Sequence, residues 1–318
     1  MRIRVGILSR ELHDVAYGFP SKPPPMDLLP LKRPKTGPHS PEVLLALLSD
    51  ESPRVYGPVR RHLLKLGKAA YPALRRATRS EDPVLRTRAR EILLEHKREY
   101  AARKLVRYAL QPQHSLSGAI GRLDQFIDPE LDPRPYQLAV TAMGNEVRKR
   151  LRRRSSEPAE VLSEYLFGER GFTGTDDEAP MPGHASMART IDTRRGMPLV
   201  LCALYSAVAE EAEVKVDLLP VPGHVVAMVH QESKDQIIDP FGNGELIERK
   251  HIMGYLEANQ LPLQDEWLTP APSTAMFLRH TLNTAACFRA VGRPGEVRRL
   301  ARVAKVLARH HSTPKFAV

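Results

Sequence analysis

A helical segment that is apolar on nearly every face is the feature that most constrains the fold. Residues 194–214 read RRGMPLVLCALYSAVAEEAEV. Gly196 precedes the helix and Pro198 stands at its first turn, where proline is favoured. A helix without a polar face must be enclosed by other elements. The segment therefore predicts a central, buried helix.

Two strands are predicted after this helix, in KVDLLPVPGHVVAMVHQ and KDQIIDPF, with QESK as the turn between them. An even turn places His224 and Asp239 on one face of the hairpin, opposite or diagonal to each other. An imidazole–carboxylate hydrogen bond there would fix the histidine tautomer and suit a general base. The alternative is a structural pair, with His224 a satisfied core histidine and Asp239 capping the strand before Pro240.

The first hundred residues divide into a proline-rich part and a helical part. Eight prolines between residues 19 and 41 exclude regular helix or central strand, and 1–40 are predicted to be a flexible arm. Pro53 and Pro83 stand 30 residues apart, each after an acidic turn and before a helical pattern. This echo predicts α-helical repeats over 41–110. Residues 111–270 form the predicted α+β domain, and 271–318 a C-terminal helical extension.

Composition and charge limit the classes of partner and cofactor. The formal net charge is +11, but the densest basic runs, at 32–35 and 149–154, have no aromatic residues among them. Nucleic acid is therefore a possible but not a favoured partner. The two cysteines form no disulfide framework or zinc pattern, which favours a reducing cytoplasm. No membrane segment, secretory signal, cofactor or metal is expected.

Four motifs together carry a family resemblance. LFGERGFTG, RRGMPLVLCALYSAVAEE, VPGHVV and IDPFGNGEL, in that order and spacing, resemble the bacterial transglutaminase-like family, in its second core branch typified by invasion-regulator-locus proteins. Residues 41–98 resemble HEAT-like repeats of the short, bilin-lyase type. The resemblance implies a papain-like α+β fold, with a central helix on an antiparallel sheet, N-terminal HEAT-like repeats and C-terminal helices.

In active members of this family, a cysteine at the helix N-terminus attacks an amide or thioester carbonyl. A strand histidine acts as the base and an aspartate on the next strand orients it, roles that carry over to His224 and Asp239. The nucleophile position aligns with Pro198. Cys202 lies four residues on, about 6 Å deeper along the helix axis, where the helix dipole no longer favours a thiolate.

Burial among leucines is expected to raise the pKa of Cys202 and to give it a packing role. Cys287 is predicted to lie in the core. His184 is expected to be exposed in a loop, with a site role as the alternative.

Two functions follow. The favoured one is a non-catalytic or regulatory protein-binding module, with a protein partner on the helical repeats. The alternative is a cysteine hydrolase or acyltransferase acting on amide or thioester bonds through Cys202, His224 and Asp239.

Overall fold

The computed structural model describes residues 40–153, 157–175, 180–262 and 264–310. Within these ranges the chain divides into two compact units, residues 40–101 and residues 102–310. The predicted proline-rich arm lies outside the described residues except for its last position. The division of the chain at residues 110 and 270 stays a prediction.

Every regular element described in the first unit is a helix. Helices α1 (Pro41–Ala46), α2 (Pro53–Leu66) and α3 (Tyr71–Ala77) precede the long α4 (Pro83–Ala109), whose last turns belong to the second unit. Gly67, at the end of α2, has a φ of +58°, which glycine adopts at little cost. Leu48, Leu63, Leu74 and Ile92 are fully buried in its core. The expected helices are present, and their identity as HEAT-like repeats stays a prediction.

The second unit holds the remaining helices. They are α5 (Leu116–Ile127), α6 (Arg134–Leu151), α7 (Pro158–Ser163), α8 (Met187–Thr193), α9 (Pro198–Glu211), α10 (Arg249–Ala258), α11 (Ser273–Ala290) and α12 (Pro294–His310). The last two are separated by residues 291–293. No helix in the described ranges is both long and apolar enough to span a membrane.

An antiparallel sheet of four strands follows the central helix. Strands β3 (Val216–Leu219), β4 (Val226–Val229), β5 (Gln236–Asp239) and β6 (Glu245–Ile247) lie side by side in chain order. Val229 pairs with Gln236, so six residues connect β4 to β5 and the even parity expected of the turn is present.

A second, smaller sheet joins residues on either side of the segment that contains His184. Strand β1 (Thr173–Gly174) pairs in parallel with β2 (Arg195–Gly196), and residues 182–185 form a short 3₁₀ turn. The pairing joins residues more than twenty positions apart, so no local pattern announces it.

The two central strands of the main sheet are packed on both faces. Ala227, Val229 and Ile238 pack in one cluster with the side chains of α9. Val226 and Ile237 pack in another cluster, with residues of α10 and with Trp267. Helix α9 contributes ten buried residues, which confirms the predicted central helix. The unit is a mixed, mainly helical arrangement with two small sheets.

Candidate functional site

A tight turn over 221–224 presents His224 two residues before strand β4. Gly223 has a φ of +71°, and a Cβ there would lie 2.7 Å from the Tyr255 hydroxyl. That hydroxyl donates a hydrogen bond to the Pro222 carbonyl at 3.0 Å. Glycine is therefore required at 223 both by backbone conformation and by the close approach of Tyr255.

The predicted contact between His224 and Asp239 is present. Nε2 of His224 lies 2.8 Å from Oδ1 of Asp239, and the two residues are 4% and 2% exposed. The same oxygen accepts the backbone N–H of Phe241 at 3.0 Å. With Nε2 donating to the carboxylate, Nδ1 carries the lone pair that a general base requires.

The segment after Asp239 wraps closely around this pair. The Phe241 ring meets the His224 ring edge to face, with the centroids 5.8 Å apart. A Cβ at Gly242 would lie 2.9 Å from Oδ2 of Asp239, and one at Gly174 would lie 2.6 Å from the Phe241 ring. Two glycines thus let the backbone close over the carboxylate and the aromatic ring.

Cys202 lies inside the core beside this pair. Its side chain is fully buried, and its thiol donates to the Val225 carbonyl at 3.1 Å. Burial raises the pKa of the Cys202 thiol well above its usual value, and the Asp239 carboxylate raises it further. The thiol is therefore held as a neutral donor and not as a thiolate.

Arg279 on helix α11 is a site residue that the sequence reasoning missed. Its Nη2 donates to the carbonyls of Val221 and His224, at 3.0 and 3.1 Å. Burial lowers the pKa of Arg279 to about 10, so it remains charged at neutral pH. Its charge acts on the Cys202 pKa in the opposite direction to Asp239. The available signal was an arginine in a helix that is otherwise mainly apolar and neutral over 275–288.

The other candidate residues are also placed. Pro198 is the first residue of α9, as expected from its place in the sequence. Cys287 is buried, as predicted, with its sulfur 3.9 Å from the Met197 sulfur, and burial raises its pKa to about 12. The expectation that His184 is simply exposed is wrong. It is partly buried in the 3₁₀ turn, where its carbonyl accepts the Met197 N–H.

Among the described residues, the site thus combines the His224–Asp239 pair with a buried thiol that is held neutral. No group of three His, Cys, Asp or Glu residues suited to hold a metal ion occurs in the part of the chain that the structure describes.

Comparisons with known proteins cover this same region. Residues 134–282 match the family model of the transglutaminase-like superfamily. This part of the chain is similar to transglutaminase-like domains, and the match covers a little less than half of the chain. The matched range contains Pro198, Cys202, His224, Asp239 and Arg279.

Two curated relatives show weak similarity. They are UPF0162 proteins of Xylella fastidiosa, from strains Temecula1 and 9a5c, 25% and 24% identical over 161 residues. The alignment covers 48% of this chain and 57% of each relative. The chain thus matches little more than half the length of these relatives. No solved structure matches the chain.

Proposed function

We propose that the transglutaminase-like domain is a non-catalytic, regulatory module and that the chain works by binding a protein partner. The observation that carries the proposal is the state of Cys202. A fully buried thiol that donates to a backbone carbonyl, with its pKa raised, is a packing group. The aligned nucleophile position is a proline.

In this proposal His224 and Asp239 are structural residues. The Asp239 carboxylate accepts one hydrogen bond from the His224 ring and another from the backbone N–H of Phe241. Arg279 holds the carbonyls on both sides of the 221–224 turn. Hydrogen bonds of this kind, made with charged groups in a buried place, stabilise one conformation of the strand ends.

A cysteine hydrolase or acyltransferase is the second candidate. It is favoured by the short hydrogen bond between His224 and Asp239, which is the orientation that a catalytic base needs. In this reading Cys202 would leave the Val225 carbonyl and its thiol proton would pass to Nδ1 of His224. An amide or thioester carbonyl would then be the electrophile.

The rate of cysteine alkylation in the native protein distinguishes the binding module from the enzyme. Iodoacetamide at pH 7.5, followed by mass spectrometry of the two cysteine peptides, measures the rate at each thiol. The proposal expects slow labelling of both Cys202 and Cys287 until urea unfolds the chain. Fast labelling of Cys202 alone, slowed by His224→Gln, would establish the enzyme reading instead.

The partner surface belongs to the helical unit. A groove there is lined by Tyr56, Pro83, Val84, Thr87, Arg88 and Glu91. The Arg88 guanidinium lies 4.0 Å from the Tyr56 ring centre and donates to the carbonyls of Leu48 and Asp50. Val84 is 39% exposed beside it. A fixed Tyr–Arg stack next to an exposed apolar residue has the composition of a protein-binding hot spot.

A matched pair of substitutions tests this surface. Val84→Glu places a charge at the groove, and Val43→Glu makes the same change at a residue that is 50% exposed on α1 and does not line it. A protein cross-linked to the wild-type chain in its source cells should be lost with Val84→Glu and retained with Val43→Glu. Retention by both variants would remove the groove from the proposal.

A further inference from the structure

Helix α12 carries its apolar and its cationic residues on opposite sides. Leu300, Val303 and Leu307 are fully buried. Arg298, Arg302, Lys305 and Arg309 follow one another at spacings of four, three and four residues, which places them on one face of a helix. The three arginines are exposed and Lys305 is partly exposed. These four residues are called the α12 stripe below.

The three arginines of the stripe have no compensating charge within their own helix. The only carboxylate on α12 is Glu296, which is buried and paired with Arg293. Across the described residues no carboxylate lies within ion-pair distance of Arg298, Arg302 or Arg309. Like charges four residues apart repel each other and destabilise a helix. The arrangement therefore keeps an unfavourable interaction that an external anion would relieve.

The residues around the stripe limit the classes of anion that could bind to it. The apolar face of α12 packs against α11, so it is not free to enter a lipid surface. The helix contains no Phe, Tyr or Trp. Binding of single-stranded nucleic acid relies on aromatic side chains on which the bases stack, whereas the phosphates of a duplex need cations alone.

We propose that the α12 stripe binds the phosphate backbone of double-stranded nucleic acid without reading its sequence. From Arg298 to Arg309 the helix rises about 16 Å, which spans about five base-pair steps of a duplex. The net charge of +11 adds a long-range attraction to the local contact. This binding surface is independent of the function proposed for the His224–Asp239 site.

The dependence of affinity on salt tests the stripe directly. Binding of the full chain to a fluorescent 20-base-pair DNA duplex is measured by anisotropy between 50 and 200 mM KCl. Each phosphate neutralised contributes about 0.9 to the slope of log K against log salt. The variant Arg298→Gln/Arg302→Gln/Arg309→Gln should therefore lose about 2 to 3 from the magnitude of that slope. The variant with lysine at the same three positions should keep the wild-type slope, because the charges remain.

A control variant separates the stripe from net charge. Arg54→Gln/Arg61→Gln/Arg75→Gln changes three exposed arginines of the helical unit and removes the same total charge. This control should keep nearly the wild-type slope. An equal loss in the control, or no binding by the wild type at 50 mM KCl, would overturn the proposal. Binding of poly-glutamate as tight as that of the duplex, with the same dependence on the stripe, would instead assign the surface to an acidic protein.

Discussion

Two buried histidines of the second unit lie in contrasting surroundings. His224 is 4% exposed and belongs to a polar cluster with Asp239 and Arg279. His280 is 1% exposed; the backbone of Ala185 acts on its ring, but neither ring nitrogen makes a hydrogen bond of good geometry within the described residues. Burial lowers the pKa of His280 to about 4. Similar burial therefore produces different chemistry, depending on whether a charge lies beside the ring.

The difference predicts opposite responses to mutation. In the polar cluster, removing one member leaves a buried charge without its partner, which is strongly unfavourable. Around His280, removing the imidazole removes a polar group that has already lost its hydration. Each region also contains one buried cysteine, Cys202 in the first and Cys287 in the second. The two regions are thus matched for tests by substitution.

The largest effect is expected from replacing each histidine with leucine. His224→Leu should lower the free energy of unfolding by about 3 to 5 kcal/mol, because the buried Asp239 carboxyl group loses its hydrogen-bond partner. His280→Leu should be nearly neutral or stabilising at pH 7. Urea unfolding followed by tryptophan fluorescence measures both, since the single tryptophan, Trp267, is buried in the same unit. Equal destabilisation by the two variants would contradict the expected difference between the two histidines.

Acid should act on the two regions differently. Between pH 6.5 and 4 the unfolded chain holds a proton on His280 that the folded chain does not hold. The His280 contribution to the free energy of unfolding is therefore present above pH 6.5 and falls by about 3 kcal/mol as the pH drops to 4. Unfolding at pH 7 and at pH 4.5 should show His280→Leu gaining stability relative to wild type as the pH falls.

Asp124 is a control, because its contribution to the free energy of unfolding should change with pH in the opposite direction to that of His280. It accepts the N–H groups of Met187 and Ala188 at the start of α8, and burial raises its pKa to about 6. Between pH 6 and about 4 the folded chain holds a proton on Asp124 that the unfolded chain has lost, so this contribution rises as the pH falls. Asp124→Asn should steepen the acid loss of stability. A shallower loss would contradict the assignment.

A smaller effect is expected at Arg279, one residue before His280 on the same helix. Arg279→Met keeps the apolar stem but removes the charge and both hydrogen bonds to the 221–224 turn. It should lower the free energy of unfolding by about 2 to 3 kcal/mol. Arg279→Lys should lose less, since an ammonium group can still donate to one carbonyl. Equal losses in the two variants, again by Trp267 fluorescence, would show that packing and not hydrogen bonding matters at this position.

The sequence predicted the parts of this architecture that depend on local pattern. The apolar run after Pro198 indicated the central helix, and the parity across QESK indicated the contact of His224 with Asp239. Arg279 could not be found in this way, because its partners are carbonyls more than fifty residues away. The same reason applies to the pairing of β1 with β2. His280 was missed because its pattern is that of any residue on a buried helix.

The smallest effects are expected at the two cysteines, and they test what the polar cluster does to a thiol. Cys202→Ala and Cys287→Ala each remove one small apolar group and should lower the free energy of unfolding by about 1 kcal/mol. Substitution with serine should affect the two positions differently. At position 202 the hydroxyl can donate to the Val225 carbonyl in place of the thiol, so Cys202→Ser should be at least as stable as Cys202→Ala. At position 287 the neighbouring group is the Met197 sulfur, a weak acceptor, so Cys287→Ser should be less stable than Cys287→Ala. The reverse order at 202 would mean that the contact with Val225 adds nothing, and the thiol would then be free to move toward His224.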